Sequence, residues 1–194
     1  MTLFRSSRER TCWFAAAVLV LGTWSTLYWA RFVSDWLRDR GWIGFTMWAI
    51  FAVAAAGVLA LVARGRPRRF ELAVLALFAA VYAWAGWSLR ARPEEALHFV
   101  QYGLVGGFVF AALGERRRHL APGAPLARPG VAAVVAVLLT AAAGWADEGI
   151  QYLLPNRYYD LRDVAFNAAA GALAVAGTAA WRWARRRGES PDPA

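Results

Sequence analysis

Between Asp147 and Gly171 the chain reads DEGIQYLLPNRYYDLRDVAFNAAAG. Asp147, Glu148, Gln151, Arg157, Asp160, Asp163 and Asn167 crowd between two apolar runs there. Ionisable groups at the edge of hydrocarbon are costly to keep, so they pair, line a wet cavity or do chemistry. Four carboxylates in different surroundings can divide acid and base work between them. Asp147 and Glu148 are neighbours and point in different directions, whereas Gln151 follows them by four and three residues and is a helical neighbour of both. A carboxyl at the inner edge of such a set gives up its proton reluctantly, which suits Glu148 to proton donation. Asp163 and Asn167 are four apart and share a face, with Asn167 deeper. Arg157 could neutralise Asp163 or Glu148, or grip a phosphate or carboxylate with its planar fork.

A second group lies upstream. His98 follows Glu94 by four residues and Glu95 by three, and Tyr102 follows His98 by four. All share a helical face, and a carboxylate beside imidazole fixes its tautomer. Each residue also has a purely structural alternative. Glu94 and Glu95 fit the first turn of a helix begun by Pro93. Asp147 and Glu148 fit a solvated helix end, and Arg157 fits a plain loop. Asp160 suits an N-cap, with Asp163 three residues on as the acid of a capping box. Asn167 could tie two helices together.

The elements that must hold these residues are membrane helices. The 194-residue chain is 59% hydrophobic with a mean hydropathy of +0.36, too apolar for a typical soluble domain. Six apolar runs, at about 11–30, 43–63, 70–89, 94–114, 129–148 and 161–183, approach the roughly 20 residues a helix needs to cross hydrocarbon. They do not alternate in polarity as barrel strands would. The expected fold is therefore all-α, a polytopic bundle of about six transmembrane helices. Arg5, Arg8 and Arg10 precede the first run, but TLYWARF offers no small-residue cleavage site, so that run is read as a helix. Trp13, Tyr28, Trp29, Trp42, Trp87, Trp181 and Trp183 fall near run ends, where interfacial anchors belong. Residues 1–69 form two N-terminal spans, 70–183 a four-helix core, and 184–194 a tail expected to be disordered.

All 22 basic residues are arginine. The net charge of +9 does not point to nucleic acid, because the arginines sit in short loops between spans, where they set orientation. The N-terminus, the loops after the second and fourth runs and the C-terminus carry fifteen, against seven in the alternate loops. Both termini are thus expected in the cytoplasm. The acidic clusters then lie on the extracytoplasmic side. The single cysteine, Cys12, excludes an internal disulfide and a cysteine-cluster zinc site.

HFVQYG from His98 to Gly103, followed by DEGIQYLLPNRYYDLRDVAFN from Asp147 to Asn167, resembles the VanZ-like family of bacterial membrane proteins. The family pattern is a His-aromatic pair followed by Tyr in one helix. An Asp-Glu pair, a Gln three later, an Arg, and an Asp with an Asn four later then follow. The resemblance covers about residues 70–183 and points to His98, Tyr102, Glu148, Gln151, Arg157, Asp163 and Asn167. Gln101 departs from it, since related sequences often carry Glu before that Tyr. The family takes its name from a member linked to teicoplanin resistance, and some members are treated as intramembrane glycosidases acting on glycolipids.

The resemblance and the residues together give competing functions. In a glycosidase-type hydrolase, Glu148 would donate a proton and Asp163 would serve as nucleophile, base or oxocarbenium stabiliser, with the roles open to exchange. His98, Tyr102, Gln151, Arg157, Asn167, Glu95 and Asp147 would bind the head group of a lipid or lipid-linked saccharide entering from the bilayer. No cofactor is expected. A non-enzymatic binder would use the same pocket to shield a cell-wall precursor or lipid. A proton or ion pathway fits less well, because the acids cluster at one face. A metal held by His98, Glu148 and Asp163 is a minor alternative. Ser88 is the one serine near the site and lies in no nucleophile elbow.

Overall fold

The computed structural model describes residues 3–89, 93–155 and 159–187, without the side chains of Leu61, Pro93 and Glu94. These residues form six helices: α1 (Ser7–Asp39), α2 (Ile43–Arg64), α3 (Arg69–Ser88), α4 (Pro93–Arg117), α5 (Pro129–Tyr152) and α6 (Leu161–Arg187). A single 3-10 turn, Pro125–Ala127, precedes α5, and no strand occurs among the described residues. All six helices are long and apolar enough to cross a membrane. The chain is an all-helical bundle of multi-pass design.

Three helices outrun their hydrophobic stretches. The 33 residues of α1 span about 50 Å at 1.5 Å per residue, well beyond a bilayer core of about 30 Å. Arg31, Arg38 and Asp39, expected in a loop, lie in its last turns instead. The helix continues because Asp35 pairs with Arg31 at 3.4 Å and Arg38 at 3.0 Å, one turn away on either side. α5 continues past Glu148 to Tyr152, and α6 continues to Arg187, so residues 184–187 of the expected tail are helical. Residues 188–194 lie outside the described residues.

α4 is the central helix. It packs against α1, α5 and α6 along much of its length and also meets α2 and α3. In its most apolar window 61% of residues are buried, against 6% for α2, which faces outward. Ala16, Val105, Val109, Phe110, Leu113, Ala132, Ala136 and Val175 form the main core among α1, α4, α5 and α6. Phe99, Tyr102, Ala85 and Ala170 form a second cluster nearer the polar end.

Glycines bring α4, α5 and α6 into close contact, as Gly171's place on the Asn167 face suggests. A Cβ on Gly106 would sit 2.8 Å from the Gly171 Cα, and one on Gly171 would sit 2.6 Å from Thr140 Cγ2. Gly106→Ala meets backbone, which cannot step aside. It should cost about 1–3 kcal/mol, the usual penalty for overpacking. Gly107 has open space beside it, so Gly107→Ala should be nearly neutral. Equal thermal stability of the two variants in detergent would contradict this packing.

The bundle has two distinct ends. The start of α1 meets the end of α4 through Arg116 Nε and Glu9 Oε1 at 2.6 Å, while Arg116 Nη2 donates to the Leu3 carbonyl at 2.7 Å. Glu115 pairs with Arg118 at 3.1 Å and Arg8 at 3.4 Å. Arginines read as orientation signals therefore also clamp helix ends. The opposite end gathers the start of α4, the end of α5 and the start of α6.

Candidate functional site

The site is built at that second end from three helices and Asp160, just before α6. α5 supplies its floor. A step of one residue turns about 100° around a helix, so Asp147 and Glu148 diverge, yet both are fully buried. Asp147 faces α4 and Glu148 faces the start of α6. Gln151 sits one turn on and spans the two, its Nε2 donating to Glu148 Oε1 at 3.1 Å and reaching Asp147 Oδ2 at 3.5 Å. The reading of these acids as a solvated helix end is overturned by their burial inside the bundle.

The second oxygen of Glu148 accepts from the Asp160 backbone N–H at 3.2 Å. That N–H is the one a capping box would give to an acid at Asp163. Asp160 otherwise behaves as an N-cap, its Oδ1 accepting from the Arg162 N–H at 2.8 Å. The cap thus ties the start of α6 to the Glu148 carboxylate. Asp163 is half-buried on the first turn of α6. Asp163, Asp147 and Asp160 are all near enough for their charges to act on Glu148.

α4 contributes His98 and Tyr102. The carboxylate found against His98 is Asp147 of α5, with Nδ1 and Oδ2 3.5 Å apart. Sequence spacing suggested Glu94 or Glu95 for that place. Glu95 is half-buried in the first turn of α4, and the side chain of Glu94 lies outside the described residues. Tyr102 is fully buried, its hydroxyl between the Ala143 carbonyl at 3.4 Å and the Asp147 carboxylate. Its ring lies 6.2 Å from His98. Gln101 turns away from the site and donates to the Leu19 carbonyl of α1 at 3.3 Å. An amide there joins α1 to α4, a role a glutamate could not fill without a proton.

Asn167 of α6 lies beneath these groups, 1% exposed. Among the described residues neither its Nδ2 nor its Oδ1 has a hydrogen-bond partner. It meets α5 by packing and not by a hydrogen bond to any described residue. Gly144 leaves room for it: a Cβ there would come 2.7 Å from Asn167 Cβ. A buried amide with both ends unsatisfied is expensive and normally finds a partner. Arg157 lies outside the described residues.

Sequence reasoning missed Trp24 of α1. Its indole Nε1 is buried and approaches the Tyr102 hydroxyl without reaching hydrogen-bond geometry. A tryptophan inside an apolar run carries no signal that separates it from a lipid-facing one. Among the described residues no group of three His, Cys, Asp or Glu side chains has a metal-holding arrangement, so His98, Glu148 and Asp163 do not meet as one ligand set.

A scan against protein-family models, a search of curated proteins and a search of solved structures each returned no match.

Proposed function

We propose that the protein is a VanZ-like membrane hydrolase of glycosidase type, acting on a glycolipid or lipid-linked saccharide at the outer face of a bacterial inner membrane. The observation that supports this best is the fully buried Glu148 carboxylate, oriented through both oxygens and set within reach of the Asp163 charge. The unpartnered Asn167 amide supplies a donor and an acceptor for sugar hydroxyls beside it.

Two carboxyl groups flanking a glycosidic bond suffice for hydrolysis. Glu148 gives its proton to the leaving oxygen as the bond to the anomeric carbon breaks. Water supplies the new oxygen on that carbon, and its proton passes to a base of the site. Asp163 faces the positive charge that develops on the sugar. Incubation of the purified protein in lipid nanodiscs with glucosyl- and galactosyl-diacylglycerols and with a lipid-linked disaccharide should release free sugar and leave the alcohol or phosphate on the lipid.

The orphaned Asn167 amide also suits a non-enzymatic binder of a lipid or cell-wall precursor, of the kind that would confer glycopeptide resistance. Binding of those lipids without release across the panel would favour it.

The orientation has its own test. Cysteines placed at Pro155, beside the site, and at Ala121, between α4 and α5, both occupy exposed turns. In a Cys12→Ser background an impermeant thiol reagent should label Pro155→Cys in intact cells and leave Ala121→Cys untouched. The reverse pattern would invert the proposed topology.

A further inference from the structure

We propose that the arginine-rich end of the bundle binds the phosphate of an anionic phospholipid, with Arg182 as the inner ligand and Arg8, Arg117 and Arg118 around it. Three helices supply these groups: Arg8 opens α1, Arg117 closes α4 with Arg118 just beyond, and Arg182 lies near the end of α6. The place is the opposite end of the bundle from the carboxylates, so it does not depend on the hydrolytic function.

Arg182 is the unusual member. Its side chain is half-buried, and its guanidinium lies 4.8 Å over the ring of Phe110, a buried residue of α4. One turn further along α4, Gly114 leaves room for it: a Cβ there would come 2.7 Å from Arg182 Nη1. Stacking on an aromatic face holds the planar group and leaves its N–H donors unused. Among the described residues no carboxylate forms an ion pair with Arg182. A guanidinium drawn out of water without an anion is costly.

The neighbouring charges raise that cost. Arg8, Arg117 and Arg118 are near enough for their charges to act on Arg182, and Glu115 is the carboxylate among them. Glu115 is already engaged. Arg118 Nη1 donates to both its oxygens, at 3.1 and 3.2 Å, and Arg8 Nε lies 3.4 Å from Oε1. Glu9, one turn from the start of α1, is held by Arg116. Four guanidinium groups thus stand around one carboxylate, an excess of three positive charges. An anion seated among them turns mutual repulsion into attraction.

Guanidinium forks match phosphate oxygens in pairs, which makes phosphate the fitting anion. Depth selects its source. Trp181 and Trp183 flank Arg182 in α6, and Trp183 is exposed. Tryptophans so placed mark the level of lipid head groups. A basic recess between membrane helices at that level receives anionic head groups. Phosphatidylcholine carries its own ammonium, which the excess positive charge repels.

Native mass spectrometry of the full chain, released from micelles doped with phosphatidylglycerol or phosphatidylcholine, reads the lipid each protein retains. Wild type should retain phosphatidylglycerol in preference. Arg182→Gln should weaken that retention by about tenfold or more, the usual worth of a hydrogen bond to a charged group. Arg8→Gln and Arg117→Gln should each weaken it by about fivefold, the worth of one arginine beside an anionic surface. Arg128→Gln removes the same charge from an exposed position before α5 and should leave retention unchanged. Wild type that holds both lipids alike overturns the site without any variant having to fold. Retention that ignores Arg182→Gln overturns it too, as does an equal fall in Arg128→Gln, which would reduce the effect to diffuse surface charge. If Arg182→Gln fails to fold, Arg8→Gln and Arg117→Gln decide, and unchanged retention in both overturns the site. Displacement of the lipid by inorganic phosphate at equal concentration would make the ligand a free anion and overturn the lipid assignment.

Discussion

Glu148→Gln should leave the protein folded and nearly abolish sugar release. The substitution keeps the volume of a fully buried side chain and deletes only the exchangeable proton and the charge. Both partners of the Glu148 carboxylate are donors, Gln151 Nε2 and the Asp160 N–H. A glutamine at 148 therefore turns its own amide nitrogen toward a donor. Rotation of the Gln151 amide relieves that clash at the expense of its approach to Asp147. The structural penalty is about 1 kcal/mol, the worth of one ordinary hydrogen bond. Loss of a positioned proton donor is larger, about 10²–10⁴ in rate. The two effects separate cleanly: the thermal midpoint in detergent should fall by a few degrees, lipid binding should persist and kcat should collapse. Asp163→Asn should behave alike in kcat, since an amide cannot offset positive charge on the sugar. Sugar release that survives both substitutions removes the two carboxylates from the chemistry. A binder, in contrast, tolerates both amides, because no proton has to move.

The six spans were legible in hydropathy because burial in hydrocarbon demands about 20 apolar residues whatever the neighbours do. Their ends were not. The last turns of α1 are held by the Arg31–Asp35–Arg38 ladder, and hydropathy counts those residues only as polar. The gathering of three helix ends was legible as well, because His98, Glu148 and Asp163 fall at ends that alternate through the membrane. Partner choice within that gathering was hidden. Spacing along one helix favoured Glu94 or Glu95 for His98, whereas Asp147 reaches it across the α4–α5 packing, which no local pattern encodes. The same holds for Glu148. Its link to the Asp160 N–H depends on how the start of α6 meets the end of α5, and a capping-box pattern alone assigns that N–H to Asp163. The Glu9–Arg116 contact joins residues 107 apart, and the arginine count read Arg116 as orientation only and gave Glu9 no role.

Arg116→Met should be the most destabilising single change at the arginine-rich end. Glu9 is wholly buried, and its two oxygens are met by Arg116 Nε at 2.6 Å and the Arg5 backbone N–H at 2.8 Å. Removing the guanidinium leaves a buried carboxylate with neutral donors alone, the Arg5 N–H and the nearby Trp13 indole. Breaking a buried pair in this way costs about 3–5 kcal/mol. The Arg116 side chain is 35% exposed, so water reaches part of the gap and the expected loss is about 2–3 kcal/mol. The Leu3 carbonyl loses its donor in the same step, which frees the segment before α1. The double variant Glu9→Gln, Arg116→Met carries no buried charge and should recover most of that loss, because a neutral pair of similar volume is often as stable as the ion pair it replaces. Unfolding titrations in mixed micelles give the four free energies of the cycle, and a coupling of at least about 1 kcal/mol is expected between residues in direct contact. The effect should persist at high salt, because screening reaches buried pairs poorly. An Arg116→Met variant within about 0.5 kcal/mol of wild type would mean that this arginine serves membrane orientation alone, since surface substitutions ordinarily fall in that range.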